Sequence, residues 1–178
     1  MNEATLVLAG LFALAAGWMD WRSRRIPNWL TVPALVVGIV GNTLFAGWRG
    51  TLAGLEGAGL GLLLLFPFVI VRAMGAGDWK LVGAMGAFLG PRPLLVVLVV
   101  ALLVAGVMAL GLVIYKRRLG KTLRNIGHLL RAFATGHTGD PEISLDNPDA
   151  AKVPFGVAFA VAAILYVGAA LGKWGALS

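Results

Sequence analysis

Residues 93–115 read PLLVVLVVALLVAGVMALGLVIY, which is 23 consecutive positions without a charged side chain. A helix needs about 20 such residues to cross the ~30 Å hydrocarbon core of a bilayer. The whole chain has the same character, since 59% of its 178 residues are hydrophobic and 13% are charged. A water-soluble fold of this length leaves about 30% of its unfolded-chain surface exposed, so it could not bury this much apolar surface. The composition therefore excludes soluble, disordered and fibrous classes and indicates a membrane protein.

Charged residues divide the chain into six apolar runs. The runs are 4–19, 26–48, 51–71, 81–91, 93–115 and 153–172. If all six cross the membrane, 12 of the 15 Lys and Arg residues lie on one side, whereas a re-entrant fourth run gives a split of 6 and 9. The positive-inside rule favours the first arrangement. The sequence thus predicts an all-α polytopic protein with six transmembrane helices, both termini outside and the basic loops in the cytoplasm.

The basic excess and the residue types limit the possible ligands. Because the net charge of +7 is mostly a consequence of topology, we expect no nucleic-acid binding. The absence of Cys excludes a disulfide framework, a thiolate zinc site and a cysteine nucleophile. His128 and His137 make a poor metal site. We therefore expect neither a metal nor another cofactor.

Residues 116–152 form the one sizeable loop, which the topology places in the cytoplasm. Apolar residues recur there at helical spacing, namely Leu119, Leu123, Ile126, Leu130 and Phe133. Basic residues lie between them, which is typical of a helix in the headgroup layer. We expect one interfacial amphipathic helix over 118–135, acting as a surface connector rather than as a substrate-binding element.

Glycine pairs predict close packing of the membrane helices. Gly57 and Gly61 are four residues apart, as are Gly86 and Gly90. Small residues at this spacing let helix backbones approach each other in lipid. Residues 1–178 are accordingly predicted to form a single membrane-embedded domain.

Two acidic residues stand at the cytoplasmic ends of membrane segments. Asp20 closes the first run, and Asp78 opens the fourth. Asp20 could be a flanking charge neutralised by Arg22 or Arg24, and Asp78 could be a helix N-cap. Together they also meet the requirement of an aspartic protease, in which two neighbouring carboxyl groups share a proton. By contrast, Glu3 and Glu56 lie where a carboxylate reaches water easily.

The residues around Asp78 favour a catalytic role. The stretch Gly75-Ala76-Gly77-Asp78-Trp79-Lys80-Leu81 places two glycines just before the acid. Glycine permits close backbone approach, so a substrate strand could pass beside the carboxyl group. The stretch lacks the third glycine of a dinucleotide loop and the Lys-Ser/Thr of a phosphate loop.

This stretch resembles the Gly-x-Gly-Asp signature of the intramembrane aspartic peptidases that process type IV prepilins. Asp20, followed by Ile26-Pro27-Asn28, resembles the other aspartate block of that family. Pro154-Phe155-Gly156 is similar to its Pro-x-Gly element. The three matches follow one another along this chain in the same order as in that family.

The resemblance implies an aspartic endopeptidase with Asp20 and Asp78 as the catalytic pair. Lys80 would lie beside them, either holding Asp78 ionised or orienting the loop. The other residues that the resemblance implies as active-site support are Gly75, Gly77, Ile26, Pro27, Asn28, Pro154 and Gly156. Of these, Gly75 and Gly77 would shape the active-site turn, and Asn28 would cap the second helix.

The resemblance also implies a substrate and a location. The enzyme would remove the basic leader of a type IV or Flp-type prepilin, or of a pseudopilin, after the Gly that ends the leader. It would lie in the bacterial inner membrane, with its active site facing the cytoplasm. Bifunctional members carry a cysteine-bearing domain in the first loop, which is short here. The chain therefore resembles the compact single-function form of tight-adherence pilus systems, without N-methyltransferase activity.

Two other functions are compatible with the same residues. A small proton- or cation-coupled transporter could use both aspartates, although transporter sites usually lie near the membrane midplane. A non-catalytic membrane subunit could pair them with Arg22 or Lys80. Replacing either acid with Asn separates these functions from a peptidase.

Overall fold

Helices account for nearly all of the chain that the computed structural model describes, which is residues 2–70, 74–115, 127 and 154–175. They are α1 (Glu3–Ser23), α2 (Asn28–Ile70), α3 (Ala76–Leu89), α4 (Pro91–Tyr115) and α5 (Phe155–Gly175). No strand occurs in these residues, so the all-α prediction is confirmed there. All except α3 are long and apolar enough to span a membrane.

The helices of the described residues do not correspond one to one with the six predicted membrane spans. The second and third predicted spans both fall within α2, which has 43 residues. The fourth corresponds to α3, which has 14 residues. Six crossings therefore stay a prediction. The predicted interfacial helix over 118–135 lies outside the described residues, apart from Gly127.

The long helix α2 folds back on itself at Gly47. This residue has φ +58° and ψ −145°, a conformation that glycine adopts without steric cost. The hydroxyl groups of Thr43 and Thr51 lie 2.8 Å apart, and a Cβ on Gly54 would lie 3.5 Å from Ile39 Cα. In a straight helix Ile39 and Gly54 would be about 22 Å apart. Residues 28–46 and 48–70 thus form two antiparallel arms, the first arm and the second arm.

Helix α3 lies between these two arms. A Cβ on Gly38 of the first arm would be 2.9 Å from the Ala87 backbone. On the second arm, Gly57 abuts the backbone of Gly86, and neither position has room for a Cβ. Small residues permit this backbone contact. Gly57 of one predicted pair therefore packs against Gly86 and Gly90 of the other, and Gly61 packs against Val82.

Asn42 of the first arm closes the C-terminal end of α3. Its Nδ2 donates to the carbonyl oxygens of Ala87 and Phe88 at 2.8 and 2.9 Å. The last carbonyls of a helix have no partner within the helix. In an apolar environment each unpaired carbonyl costs several kcal/mol. The buried Asn42 side chain therefore lets a short helix end among apolar neighbours.

Helix α1 packs against both α3 and α5. Contacts of Gly17 with Ala160 and of Gly10 with Val167 show that α1 and α5 run antiparallel. On α1, the ring of Phe12 also lies against Phe88 of α3, with centroids 5.9 Å apart. The C-terminal end of α1 is thereby placed beside the N-terminal ends of α3 and α5.

We expect Asn42→Ala to lower the free energy of unfolding by about 1–3 kcal/mol, because it leaves two buried carbonyls without their donor. Denaturant unfolding in detergent micelles measures the change. Leu44→Ala, at a position two residues further on that is 76% exposed, is the control and should stay within about 0.5 kcal/mol of the starting protein. Equal effects of the two substitutions would contradict the capping role.

Candidate active site

Asp20 lies in the last turn of α1 and is 6% exposed. Its Oδ2 accepts the Val157 N–H of α5 at 3.1 Å. Free amides and the helix dipole make a helix N-terminus favourable for a carboxylate. Asp20 therefore links α1 to the start of α5.

The environment of Asp20 does not match that of a simple flanking charge. Arg22 and Arg24 are both described, and neither forms a salt bridge with it. Arg24 acts on the carboxyl group only through longer-range electrostatics. Its backbone N–H instead bonds the Asp20 carbonyl at 2.8 Å, with φ +50° at Arg24. This contact ends α1 and turns the chain toward α2.

Gly156 provides the space in which the Asp20 carboxyl group lies. A Cβ at this position would be 2.8 Å from Asp20 Oδ2 and 2.9 Å from Asp20 Cγ. Pro154 precedes the helix, and its carbonyl accepts the Ala158 N–H at 3.3 Å. The Pro-x-Gly element thus forms the start of α5 against which Asp20 packs.

Asp78 lies in the first turn of α3 and is partly buried. The N-cap is Gly75, so the alternative of Asp78 as an N-cap is wrong. A Cβ on Gly75 would lie 3.3 Å from Asp78 Oδ2, which means that the glycine leaves the carboxyl group accessible on that side. Among the described residues, none donates a hydrogen bond to this carboxyl group.

The two carboxyl groups come together although Asp78 follows Asp20 by 58 positions. The two side chains are close enough for their charges to interact. Contacts between α1 and α3 bring them to the same end of the helix bundle. Paired acids in a partly buried setting can share a proton and act as general acid and base.

The connection between α1 and α2 packs beside Asp78. Ile26 is buried, and a Cβ on Gly77 would lie 3.2 Å from its carbonyl oxygen and 3.3 Å from its Cβ. Gly77 therefore permits a close contact with this loop, which a side chain at this position would tighten. Pro27 accepts the Leu30 and Thr31 amides at 3.1 and 3.3 Å, so the first turn of α2 is bonded to Pro27.

The expectation that Asn28 caps the second helix is wrong. Asn28 is the first residue of α2, and its Oδ1 accepts a hydrogen bond from Lys80 Nζ at 2.9 Å. Lys80 makes no salt bridge with Asp78. Of the two roles weighed for Lys80, this contact favours orienting the loop.

Trp79 is a residue of the site that the sequence analysis did not single out. Its indole N–H donates to the Leu62 carbonyl of the second arm at 2.6 Å, and the centroid of its ring lies 6.0 Å from that of Phe66. Its position between Asp78 and Lys80 was the sequence signal that could have identified it. A buried Trp at that position needs a hydrogen-bond acceptor for its indole N–H.

The described residues contain no group of three His, Cys, Asp or Glu side chains placed to hold a metal ion. His128 and His137 lie outside the described ranges.

Comparison with known proteins gives one family match. Residues 7–110 match the type IV leader peptidase family. This range contains both aspartates and ends before Pro154 and Gly156, whose association with Asp20 rests on the structure.

Curated relatives are similar over a comparable range. The prepilin leader peptidase/N-methyltransferase of Aeromonas hydrophila is 33% identical over 110 residues, covering 58% of this chain and 38% of that protein. The protein of the same name from Xanthomonas campestris is 28% identical over 111 residues, covering 57% and 38%. This chain thus spans 38% of the length of these relatives. No solved structure matches it significantly.

We expect Gly156→Ala to displace the Asp20 carboxyl group and to cost about 1–3 kcal/mol of stability, since the site has no room for a methyl group. Gly168→Ala is the matched control in the same helix, because a Cβ there has nothing within 4 Å. Unfolding of both variants in detergent micelles measures the difference. A Gly156→Ala protein as stable as the Gly168→Ala protein would show that Asp20 is not held in this way.

Proposed function

Because the chain belongs to the type IV leader peptidase family, we propose that it is an intramembrane aspartic endopeptidase that removes the basic leader from type IV or Flp-type prepilins. The observation that carries the proposal is the meeting of Asp20 and Asp78 at one end of the bundle, at the ends of α1 and α3. The family match agrees with a prepilin or pseudopilin precursor as substrate.

The proposed reaction needs only water and the two carboxyl groups. One ionised carboxyl group takes a proton from water, and the resulting hydroxide attacks the scissile carbonyl carbon. The protonated carboxyl group donates its proton to the carbonyl oxygen, which gives a tetrahedral diol. The first carboxyl group then passes the proton that it took from water to the leaving amine, and the second carboxyl group takes its proton back from the diol as the C–N bond breaks and the C=O bond re-forms. Gly75 supports this scheme, because the absence of its side chain leaves space at Asp78 Oδ2. Asp20 is supported from the other side by the Val157 amide of α5.

The proposed position of the substrate follows from the position of the pair. The basic leader lies at the cytoplasmic surface and the apolar helix of the prepilin lies in the bilayer. The bond at their junction, after the Gly that ends the leader, then lies at the depth of Asp20 and Asp78. The bilayer therefore holds the apolar helix of the prepilin and places the scissile bond at the depth of the two aspartates.

We propose six crossings with the catalytic end in the cytoplasm of a bacterial inner membrane. The two arms of α2 are about 28 and 34 Å long at 1.5 Å per residue, enough for one crossing each. Helix α3 is about 21 Å long, shorter than the ~30 Å hydrocarbon core, and its residues 81–90 are enclosed by protein. The split of 12 and 3 basic residues supports this orientation.

We propose peptidase activity alone. The name of the curated relatives includes N-methyltransferase, but α1 and α2 of this chain are joined by residues 24–27 only. The first loop is where the resemblance places the cysteine-bearing domain of bifunctional members, and this sequence has no Cys. These features favour the compact form of tight-adherence pilus systems.

Replacing either aspartate is expected to abolish cleavage. Asp20→Asn and Asp78→Asn each remove an acid–base group, which contributes roughly 10²–10⁴-fold to such reactions. The measurement is co-expression with a Flp-type prepilin, followed by gel mobility and N-terminal sequencing. Glu56→Gln, at an exposed acid of the second arm, is the control and should cleave like wild type.

Cleavage that survives in either Asn variant would remove that aspartate from the chemistry. A transporter would instead show ion-dependent flux and leave the N-terminus of the prepilin unchanged. Either result would overturn the proposed mechanism.

Orientation can be tested by thiol labelling, because the natural chain has no Cys. We expect Ser23→Cys, beside the catalytic end, to react with an impermeant reagent in inverted membrane vesicles and not in intact cells. Trp48→Cys, at the exposed reversal of α2, should show the opposite pattern. Labelling of Ser23→Cys from outside intact cells would refute the proposed topology.

A further inference from the structure

The first turn of α3 carries Asp78 but has little intrinsic support. Its N-cap, Gly75, makes no side-chain hydrogen bond to the helix. The first amides of a helix have no partner within the helix and depend on external contacts. The direction of the Asp78 carboxyl group therefore depends on what the neighbouring residues of this turn contact.

Three residues of this turn contact three different segments. Gly77 packs against the loop at Ile26, and Lys80 bonds Asn28 at the exposed surface. Trp79 bonds the second arm through its indole N–H. Of the two hydrogen bonds, the Lys80 bond competes with water, whereas the Trp79 bond is partly buried and hence stronger electrostatically.

The contact of Trp79 is a two-point attachment to Leu62. The Leu62 carbonyl accepts the indole N–H at 2.6 Å. The Leu62 side chain fills the place beside Gly83, where a Cβ would lie 2.7 Å from Leu62 Cδ2. Trp79 and Gly83 are one turn apart on α3, so Leu62 fixes both the position and the rotation of this helix against the second arm.

Fixing the rotation of α3 also fixes the direction of Asp78. Successive residues of a helix are about 100° apart around its axis. With Trp79 directed at the second arm, the adjacent Asp78 is held toward the side where Asp20 lies. Loss of the indole bond would let the turn rotate and move the carboxyl group away from its partner.

Trp79 differs in this respect from the other described tryptophan side chains. Trp18, Trp21, Trp29 and Trp48 are each at least 65% exposed, as expected for rings at the membrane–water interface. Trp79 is partly buried and has a defined acceptor within the protein. An anchoring role in the headgroup layer does not account for this arrangement.

We infer that Trp79 is a positioning residue for the aspartate pair, acting through its indole N–H bond to the Leu62 carbonyl. The inference rests on the proposed peptidase function and extends it to a residue outside the aspartate pair. It predicts a specific kinetic effect, because misplacement of a catalytic group lowers the rate of the chemical step without weakening substrate binding.

The test is a kinetic comparison of purified Trp79→Phe and wild type on a Flp-type prepilin in detergent micelles. Phenylalanine keeps an aromatic ring and removes the N–H. We expect kcat to fall by about 10- to 100-fold with KM unchanged. Trp48→Phe is the matched control, since it makes the same change at an exposed position, and it should keep both constants at their wild-type values.

A second variant separates the hydrogen bond from the shape of the ring. Benzothienylalanine at position 79 replaces the indole N–H with sulfur in a ring of nearly the same size, and it should reproduce the loss of kcat. Gel filtration and thermal unfolding of each variant give the folded fraction to which kcat is normalised.

Several outcomes would overturn the inference. An unchanged kcat per folded molecule in both variants would show that the bond does not position Asp78. A higher KM with unchanged kcat would place Trp79 in substrate binding. Wild-type protein that leaves the prepilin intact would overturn the proposed function itself, and the inference with it, and is distinguished by the absence of any product.

Discussion

Helix α3 must be enclosed by protein, because it has only 14 residues and lies within a chain whose other helices are long enough to span a bilayer. Residues 81–90 are all buried. Because α2 folds back on itself at Gly47, one of its arms lies on each side of α3. Glycines on both arms let the backbone of α2 contact the backbone of α3. Asn42 pairs the last carbonyls. These contacts meet the requirement that backbone polar groups be satisfied in an apolar environment.

The enclosed helix also determines how the candidate site is built. Its buried part fixes α3 among its neighbours, while its first turn projects Asp78 toward the end of α1. Asp20 is held there by the Val157 amide of α5. The two acids therefore have different surroundings: one is bonded to a helix N-terminus, and the other faces a glycine. A pair with unequal surroundings suits a reaction in which one carboxyl group is ionised and the other protonated.

Polar side chains around the site connect segments rather than form ion pairs. Lys80 bonds Asn28 and Trp79 bonds the second arm, so the first turn of α3 is attached on two sides. Gly77 adds a contact with the loop after α1. This arrangement accounts for the proximity of a basic residue to Asp78 without direct neutralisation of its charge.

Local pattern was sufficient to identify much of this protein. Run lengths and composition predicted an all-helical membrane protein, and the glycine pairs predicted close packing of membrane helices, which the structure shows between α2 and α3. The segments around Asp20 and Asp78 predicted the family, because motifs consist of residues near each other in the chain. Local pattern failed for Asn28, Trp79 and the contact between Gly156 and Asp20. Each of these depends on a partner 17 to 136 positions away, and only the packing of helices in three dimensions decides which partners meet.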